Sequence, residues 1–546
     1  MVGISVPAWS IPARRGLRSV KQPDGTELQV RLAGDEFHHY YVDVEGRMLL
    51  QDAEGYYRVA DEVQAEAARL RGIARRGRRN AGITRAAAEN VSQVPHIGSP
   101  RVPVILVQYK DVKFKDSNPK ATFENFFAKG DVSAFTYFKD QSRGQFTPQF
   151  DVYGPYTLSK NRRTYGGNDW EGYDKGVGKM VAEGCNGLNN QIDFSKYDND
   201  GDGECDVVIV LYAGDGEASS SDWNAEDAIW PCQWGLEESD YGKSLKLDNT
   251  KVDLFAVFNE LNGANLSKID GIGTFCHEFS HCLGLPDFYD TQYGPHFGMA
   301  NWSLMDYGSY NDDGYTPIGY SAYEKEFMGW LNIPEARENT AYTLAPLGQP
   351  YTEDMAVKLT NPRDPDEYYI LEARKKDNWD EYMPAEGLLI THFTYDASVW
   401  MGNTVNDEDM QRATIIPADN SLKMDKEEDP YYGETYYQVN EQDLLGDLWP
   451  YKNATELTDS SVPAAKVNTG GYMGKPVTDI VRNDDGSVSF IAMKSDKPTG
   501  VDAIEAAEGE MRWFTLQGVA LPERPTLPGI YVCVDADGTS HKRIIR

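Results

Sequence analysis

Positive charge is scarce in this 546-residue chain: 53 Lys and Arg stand against 86 Asp and Glu, a formal net charge of −33. Such an excess of acid argues against binding nucleic-acid phosphates and against an anionic membrane surface. Long apolar runs are missing too, and no stretch approaches the roughly 18 residues that a membrane-spanning helix needs. The N-terminus lacks the charged and uninterrupted apolar regions of a signal peptide, so an export signal would be one already trimmed or lying upstream. Cysteine is sparse at six residues (185, 205, 232, 276, 282 and 533), with no Cys-x-x-Cys pair to suggest a zinc ribbon or a redox site. Cys276 and Cys282 would lie roughly 9 Å apart along a helix, too far for an undistorted disulfide, and read as small core residues. None precedes residue 98, which excludes a leader thiolate capping a downstream metal.

Histidine is nearly as rare, with eight in all, yet two fall in His277-Glu278-Phe279-Ser280-His281. In a chain with so few, chance supplies such a motif roughly once in a hundred sequences. On a helix the two imidazoles share one face, a turn apart, and can grip one metal ion. Glu278, one residue round, can serve as general base to a water at that ion. Gly284 can end the helix in the left-handed conformation, and Pro286 stops it from resuming. The reversing chain can then return Asp287 as a third, oxygen ligand. Three ligands and an open position describe a catalytic zinc site. Asp290, Glu324 and Glu326 are rival acids; Ala322–Leu331 reads as helical, and Glu324 is the strongest alternative to Asp287.

A second element follows at Ser303-Leu304-Met305-Asp306-Tyr307-Gly308. In the metzincin clan a tight turn with a central Met underlies the zinc, and some members carry a Tyr two residues on. Met305 and Tyr307 fit that pattern. Met305 would form an apolar floor. Tyr307 would either hydrogen-bond an oxyanion or tie down the turn.

The runs Gly284–Thr291, Trp302–Met305 and Ala322–Leu331, within similarity from about Val102 to about Lys494, resemble the immune inhibitor A family of secreted bacterial metalloproteases. The resemblance implies a metzincin-like catalytic domain and a zinc-dependent endopeptidase acting on protein or peptide substrates. It also implies an N-terminal prosegment, hence a zymogen, secretion or a cell-surface location, and calcium stabilisation. The third ligand departs from the more frequent metzincin His, but a carboxylate is a legitimate zinc ligand.

The expected fold class is multidomain α/β plus β. Residues 1–98 read as a β-rich prosegment and linker, with net charge +2 from 14 basic and 12 acidic residues. Short strands alternate between residues 20 and 60, and a helical stretch follows from Asp61 to Arg71. The Arg75–Arg79 run is either a cleavage site for an Arg-directed protease or a solvated loop. Gly34-Asp35 is either a latency element, by similarity to astacin prosegments, or an ordinary turn. The catalytic domain is expected over 99–338, with buried strands at Arg101–Tyr109 and Val207–Tyr212 and helices near 122–127, 132–141 and 173–183. A β-sandwich-like domain is expected over 339–495, where His392 reads as structural. A C-terminal β segment covers 510–546, similar to type IX secretion sorting domains or else an added hairpin.

Asp198-Asn199-Asp200-Gly201-Asp202-Gly203-Glu204-Cys205-Asp206 has acids at relative positions 1, 3, 5 and 9 and Gly at 6, matching the start of a calcium loop. Asp198, Asp200, Asp202, Glu204 and Asp206 are the candidate calcium ligands, although the Glu at position 12 of a full EF-hand is missing. Two other functions compete: a non-proteolytic zinc hydrolase, and an inactive surface adhesin, against which the intact Glu278 argues.

Overall fold

The fold is given by a computed structural model that describes residues 18–35, 38–44, 47–51, 56–61, 94–168, 174–220, 225–263, 266–291, 294–348, 355–428, 435–494, 512–516, 518–534 and 540–545. The Arg75–Arg79 run and the expected helix beyond Asp61 lie outside them, as does the Asp35 side chain. Residues Met1–Ala492 form one compact unit and Met493–Arg546 a second.

The first unit opens with β1 (Arg18–Lys21), β2 (Glu27–Asp35), β3 (His38–Asp43), β4 (Met48–Gln51) and β5 (Tyr57–Val59), an antiparallel meander in chain order. Alternation puts Val20, Val30, Leu32, Tyr41, Leu49 and Tyr57 into one cluster with Ala218, Ala225 and Trp230. These five strands therefore bury their apolar side chains against residues between 218 and 230 of the same unit.

The next part of the unit is built on β6 (Arg101–Gln108), β7 (Gln149–Thr157), β8 (Glu204–Cys205), β9 (Val208–Asp215), β10 (Cys232–Gly235), β11 (Leu245–Leu247), β12 (Thr250–Val252) and β13 (Leu254–Leu261). Its main sheet has the order β10-β13-β9-β6-β7; β13, β9, β6 and β7 are parallel, and β10 is an antiparallel edge. Both faces are covered, which is why β6 and β9 read as unbroken apolar runs. Val104, Leu106, Ile209 and Leu211 enter the core that holds the helix Ile272–Cys282. Ile105, Val107, Val208 and Val210 enter the opposite core, with the helix Val177–Leu188.

Beyond it, Ala356–Asn361, Asp364–Arg374, Gly387–Thr394 and Ala413–Ile415 form a four-stranded antiparallel sheet. Thr340–Leu344, Val488–Ala492 and Val477–Arg482 form a three-stranded one. One face of the four-stranded sheet joins the core described above: Ala356, Ile370, Leu389 and Phe393 belong to the cluster that contains Phe279, Leu304 and Met305. The second unit is a four-stranded antiparallel sheet, Ala520–Leu521, Arg512–Thr515, Gly529–Val534 and Ser540–Ile545 in spatial order, burying Trp513 and Cys533. No helix among the described residues is long and apolar enough to cross a membrane.

Candidate metal centre

All eleven residues of the helix Ile272–Cys282 are buried. Phe275 and Phe279, one turn apart, stack at 5.5 Å between ring centroids and face the sheet core with Phe127, Phe150 and Phe258. His277 and His281 share the same spacing, on another face. The helix enters on Gly271 and Gly273, where backbone meets backbone: a Cβ on Gly273 would fall 2.0 Å from Ser309 O. It ends as its sequence predicts. Gly284 has φ +95°, Gly284 N donates to His281 O at 2.8 Å, and Leu285 N donates to Ser280 O at 3.1 Å. The chain reverses there and brings Asp287 back.

His277 Nε2 lies 3.0 Å from His281 Nε2. Asp287 Oδ1 lies 3.1 Å from the first and 3.3 Å from the second. Each Nδ1 has a backbone carbonyl for a partner: Leu304 O at 2.8 Å for His277 and Leu285 O at 2.7 Å for His281. A carbonyl only accepts, so both Nδ1 atoms carry protons, and each neutral ring aims a bare lone pair at the other and at Asp287. Three buried electron-pair donors converge with no donor hydrogen among the neutral forms. Such a cluster holds together only around a cation or by protonating a ring. Ligands about 2.0–2.1 Å from a tetrahedral zinc lie roughly 3.3 Å from one another, so the donor set and its spacing fit that ion. Burial pushes both imidazoles down; the Asp287 carboxylate reverses this at His277 and not at His281. Burial alone would raise Asp287, but the facing imidazoles hold it down at about 2.

The turn after the helix buttresses this cluster. Leu304 supplies the carbonyl that orients His277, and Met305 O accepts from Phe288 N at 2.8 Å, beside Asp287. Met305 is fully buried. Asp306 organises the turn: Oδ2 accepts from Met299 N at 2.9 Å and Ala300 N at 2.8 Å, and Oδ1 accepts from Tyr307 N at 2.7 Å. Tyr307 is half-buried, its ring 6.4 Å from Tyr289 and 6.5 Å from Tyr310. Glu278 is wholly buried next to His277.

Glu324, the rival third acid, stands elsewhere. Its Oε1 accepts from Ser303 Oγ at 2.6 Å, and Oε2 from Ser321 N at 2.5 Å as a capping box for the helix Ala322–Phe327. Asp290 pairs with His296 at 2.9 Å and Glu326 with Lys358 at 2.6 Å. Only Asp287 of the four acids joins the two histidines among the described residues.

Residues 105–331 match the immune inhibitor A peptidase M6 catalytic domain. The histidine helix and the Met305 turn lie inside that match. The chain is similar to the pre-pro-metalloprotease PrtV of Vibrio cholerae serotype O1 (strain M66-2), 30% identical over 256 residues that cover 41% of this chain and 27% of the relative. It is similar to immune inhibitor A of Bacillus thuringiensis subsp. alesti, 28% identical over 284 residues that cover 43% of this chain and 41% of the relative. The chain thus spans less than half the length of these relatives.

The acidic loop gathers three of its five candidates. Asp198, Asp200 and Asp206 bring one carboxylate oxygen each within 4.8 Å of one another. Asp202 and Glu204 do not join them: Asp202 Oδ1 accepts from Glu204 N at 2.8 Å, and Glu204 pairs with Lys251 at 3.2 Å. The reason is local. Glu204 has already entered β8, whose pairing with β12 places it beside Lys251. Gly201 and Gly203 take φ +82° and +93°, letting the loop curl round its acids. Burial, with the charges of Asp200 and Asp198 added, pushes Asp206 up to about 6 against its bonds from Asn199. The six cysteines are free and buried. His392 is bonded to Glu367 at 2.8 Å in the four-stranded sheet, away from the centre.

Proposed function

We propose that this chain is a zinc-dependent endopeptidase that hydrolyses internal peptide bonds of proteins. The carrying observation is the convergence of His277 Nε2, His281 Nε2 and Asp287 Oδ1 at 3.0–3.3 Å, with Glu278 on the same helix. These three residues would hold the metal. Bound there, zinc would supply Lewis acidity, polarising a carbonyl and making a water acidic near neutral pH. Glu278 takes the proton of the attacking water and passes it to the leaving amine. Tyr307 donates its hydroxyl to the oxyanion that develops on the scissile carbonyl. Phe288 N donates to Met305 O, and this backbone bond keeps the turn and the Asp287 segment together.

The division into a leader (1–98), a catalytic domain (99–338), a β-rich domain (339–495) and a C-terminal segment (510–546) belongs to the same proposal. So do export to the medium or the cell surface, synthesis as a zymogen, calcium at Asp198, Asp200 and Asp206, and engagement of secretion machinery by the C-terminal segment. The name of the Vibrio cholerae relative, a pre-pro-metalloprotease, supports the zymogen reading.

A casein zymogram tests the activity. The protein freed of its leader clears casein, a chelator abolishes clearing, and added zinc restores it. Glu278→Ala retains zinc and loses turnover by about 10²–10⁴-fold. Hydrolysis confined to small esters or amino-terminal amides would exclude an endopeptidase.

A further inference from the structure

The acid that completes the metal cluster is gripped by a residue far beyond the matched catalytic domain. Asn403 follows the short helix Ala397–Met401, in the β-rich part of the chain, and its backbone turns through φ +53°. It is 6% exposed. Its side chain makes two bonds to one residue: Asp287 N donates to Asn403 Oδ1 at 2.7 Å, and Asn403 Nδ2 donates to Asp287 Oδ2 at 2.7 Å. The amide orientation is fixed by its partners, because a backbone N–H only donates and a carboxylate only accepts.

This arrangement divides the labour of the Asp287 carboxylate. Oδ2 is spent on Asn403, and Oδ1 is left as the atom facing His277 and His281. The residues that follow extend the grip. Asn406 Nδ2 donates to Phe288 O at 2.7 Å, and Asp407 accepts from Thr291 N at 3.0 Å and from Thr291 Oγ1 at 2.8 Å. The loop 403–407 thus holds 287–291 at three points, and only Asn403 touches the acid itself.

We propose that Asn403 is a positioning residue for the metal centre, holding Asp287 so that it presents a single oxygen. The β-rich segment then supplies part of the site and does more than support it. This inference rests on the zinc reading given above. Partners that orient a ligand in this way typically contribute 10–100-fold in metal affinity.

The test uses the full chain and reads metal, independently of turnover. Zinc affinity is measured by competition with a chromophoric chelator, and ligand geometry by the visible spectrum of the Co²⁺-loaded protein. Asn403→Gly keeps the left-handed backbone and removes the amide. Asn403→Asp keeps the shape, tolerates that backbone and sets a carboxylate against Asp287; it covers the case in which the glycine variant fails to fold. Asp407→Asn perturbs the same junction without touching Asp287. Both Asn403 variants are expected to bind zinc 10–100-fold more weakly with a shifted Co²⁺ spectrum, the Asp variant the more so. Asp407→Asn should keep wild-type affinity and spectrum, whatever its melting temperature. A folded Asn403 variant with wild-type affinity and spectrum would overturn the inference while leaving the zinc reading intact. Parent protein that takes up no zinc would sink both.

Discussion

At the residue scale, the centre follows from which atoms have protons to give. Nδ1 of each histidine is committed to a carbonyl, so both Nε2 atoms are available as ligands, and Asp287 supplies the oxygen. The sequence made this legible because every step is local: an i, i+4 pair on a helix, a left-handed glycine, a proline and an acid just beyond. It left Asp287 and Glu324 as rivals because both are acids in helical or turn contexts at workable spacings. Three-dimensional partners separate them, since Glu324 spends its oxygens on Ser303 and Ser321. Asn403 had no sequence signal at all, standing 116 residues from the acid it holds. Alanine replacement of each acid, with bound zinc measured on the purified protein, should therefore give opposite results. Asp287→Ala loses zinc. Glu324→Ala keeps it but is destabilised by about 2 kcal/mol, from a lost cap and an uncompensated Ser303 hydroxyl, readable as a lowered urea midpoint.

At the element scale, helices and strands matched their patterns where burial was symmetrical. Arg101–Gln108 and Val208–Asp215 lie between two covered faces, and unbroken apolar runs announce them. Gln149–Thr157 does not announce itself: it is an edge strand whose Gly154 and Pro155 break the run. Leu254–Leu261 carries as plain an apolar run, yet the expectations from sequence include no strand there. The histidine helix depends on a contact that no side-chain pattern encodes. Gly273 meets Ser309 O across two backbones, so the helix entry and the Tyr307–Gly314 segment share one position. Gly273→Ala should part them and displace Tyr307. We expect a loss of about 1–3 kcal/mol in stability and a fall in kcat larger than any change in zinc content. An unchanged kcat would mean that Tyr307 does not depend on this packing. The acidic loop gives a second expectation at this scale. With calcium at a hundred times its Kd the protein should gain about 2.7 kcal/mol, seen as a rise in melting temperature. Asp206→Asn should abolish that rise, since it removes one of the three converging carboxylates.

At the scale of the whole molecule, the division drawn from sequence and the packing of the chain differ in an instructive way. Composition changes near residue 339, and strands replace helices there, so a boundary is the natural reading. The hydrophobic core crosses that boundary: Phe288 packs on Phe393 and Trp400, and Tyr323 stacks on Phe393 at 4.0 Å. Polar ties cross it too. Glu372 accepts from Ala322 N at 2.6 Å, Arg374 donates to Gly319 O at 3.1 Å, and Asp447 accepts from Trp302 Nε1 at 2.7 Å. A fragment ending at residue 338 would expose Phe288 and Tyr323 and leave the buried N–H of Ala322 without its acceptor, each costing on the order of 1–3 kcal/mol. Together these approach the whole stability of an ordinary domain. The fragment 99–338 is therefore expected to aggregate, or to keep far-UV but lose near-UV circular dichroism, and to bind zinc more weakly than the full chain. A soluble, cooperatively unfolding fragment with full zinc affinity would show that the catalytic region is self-sufficient and that the β-rich segment was added to a finished site.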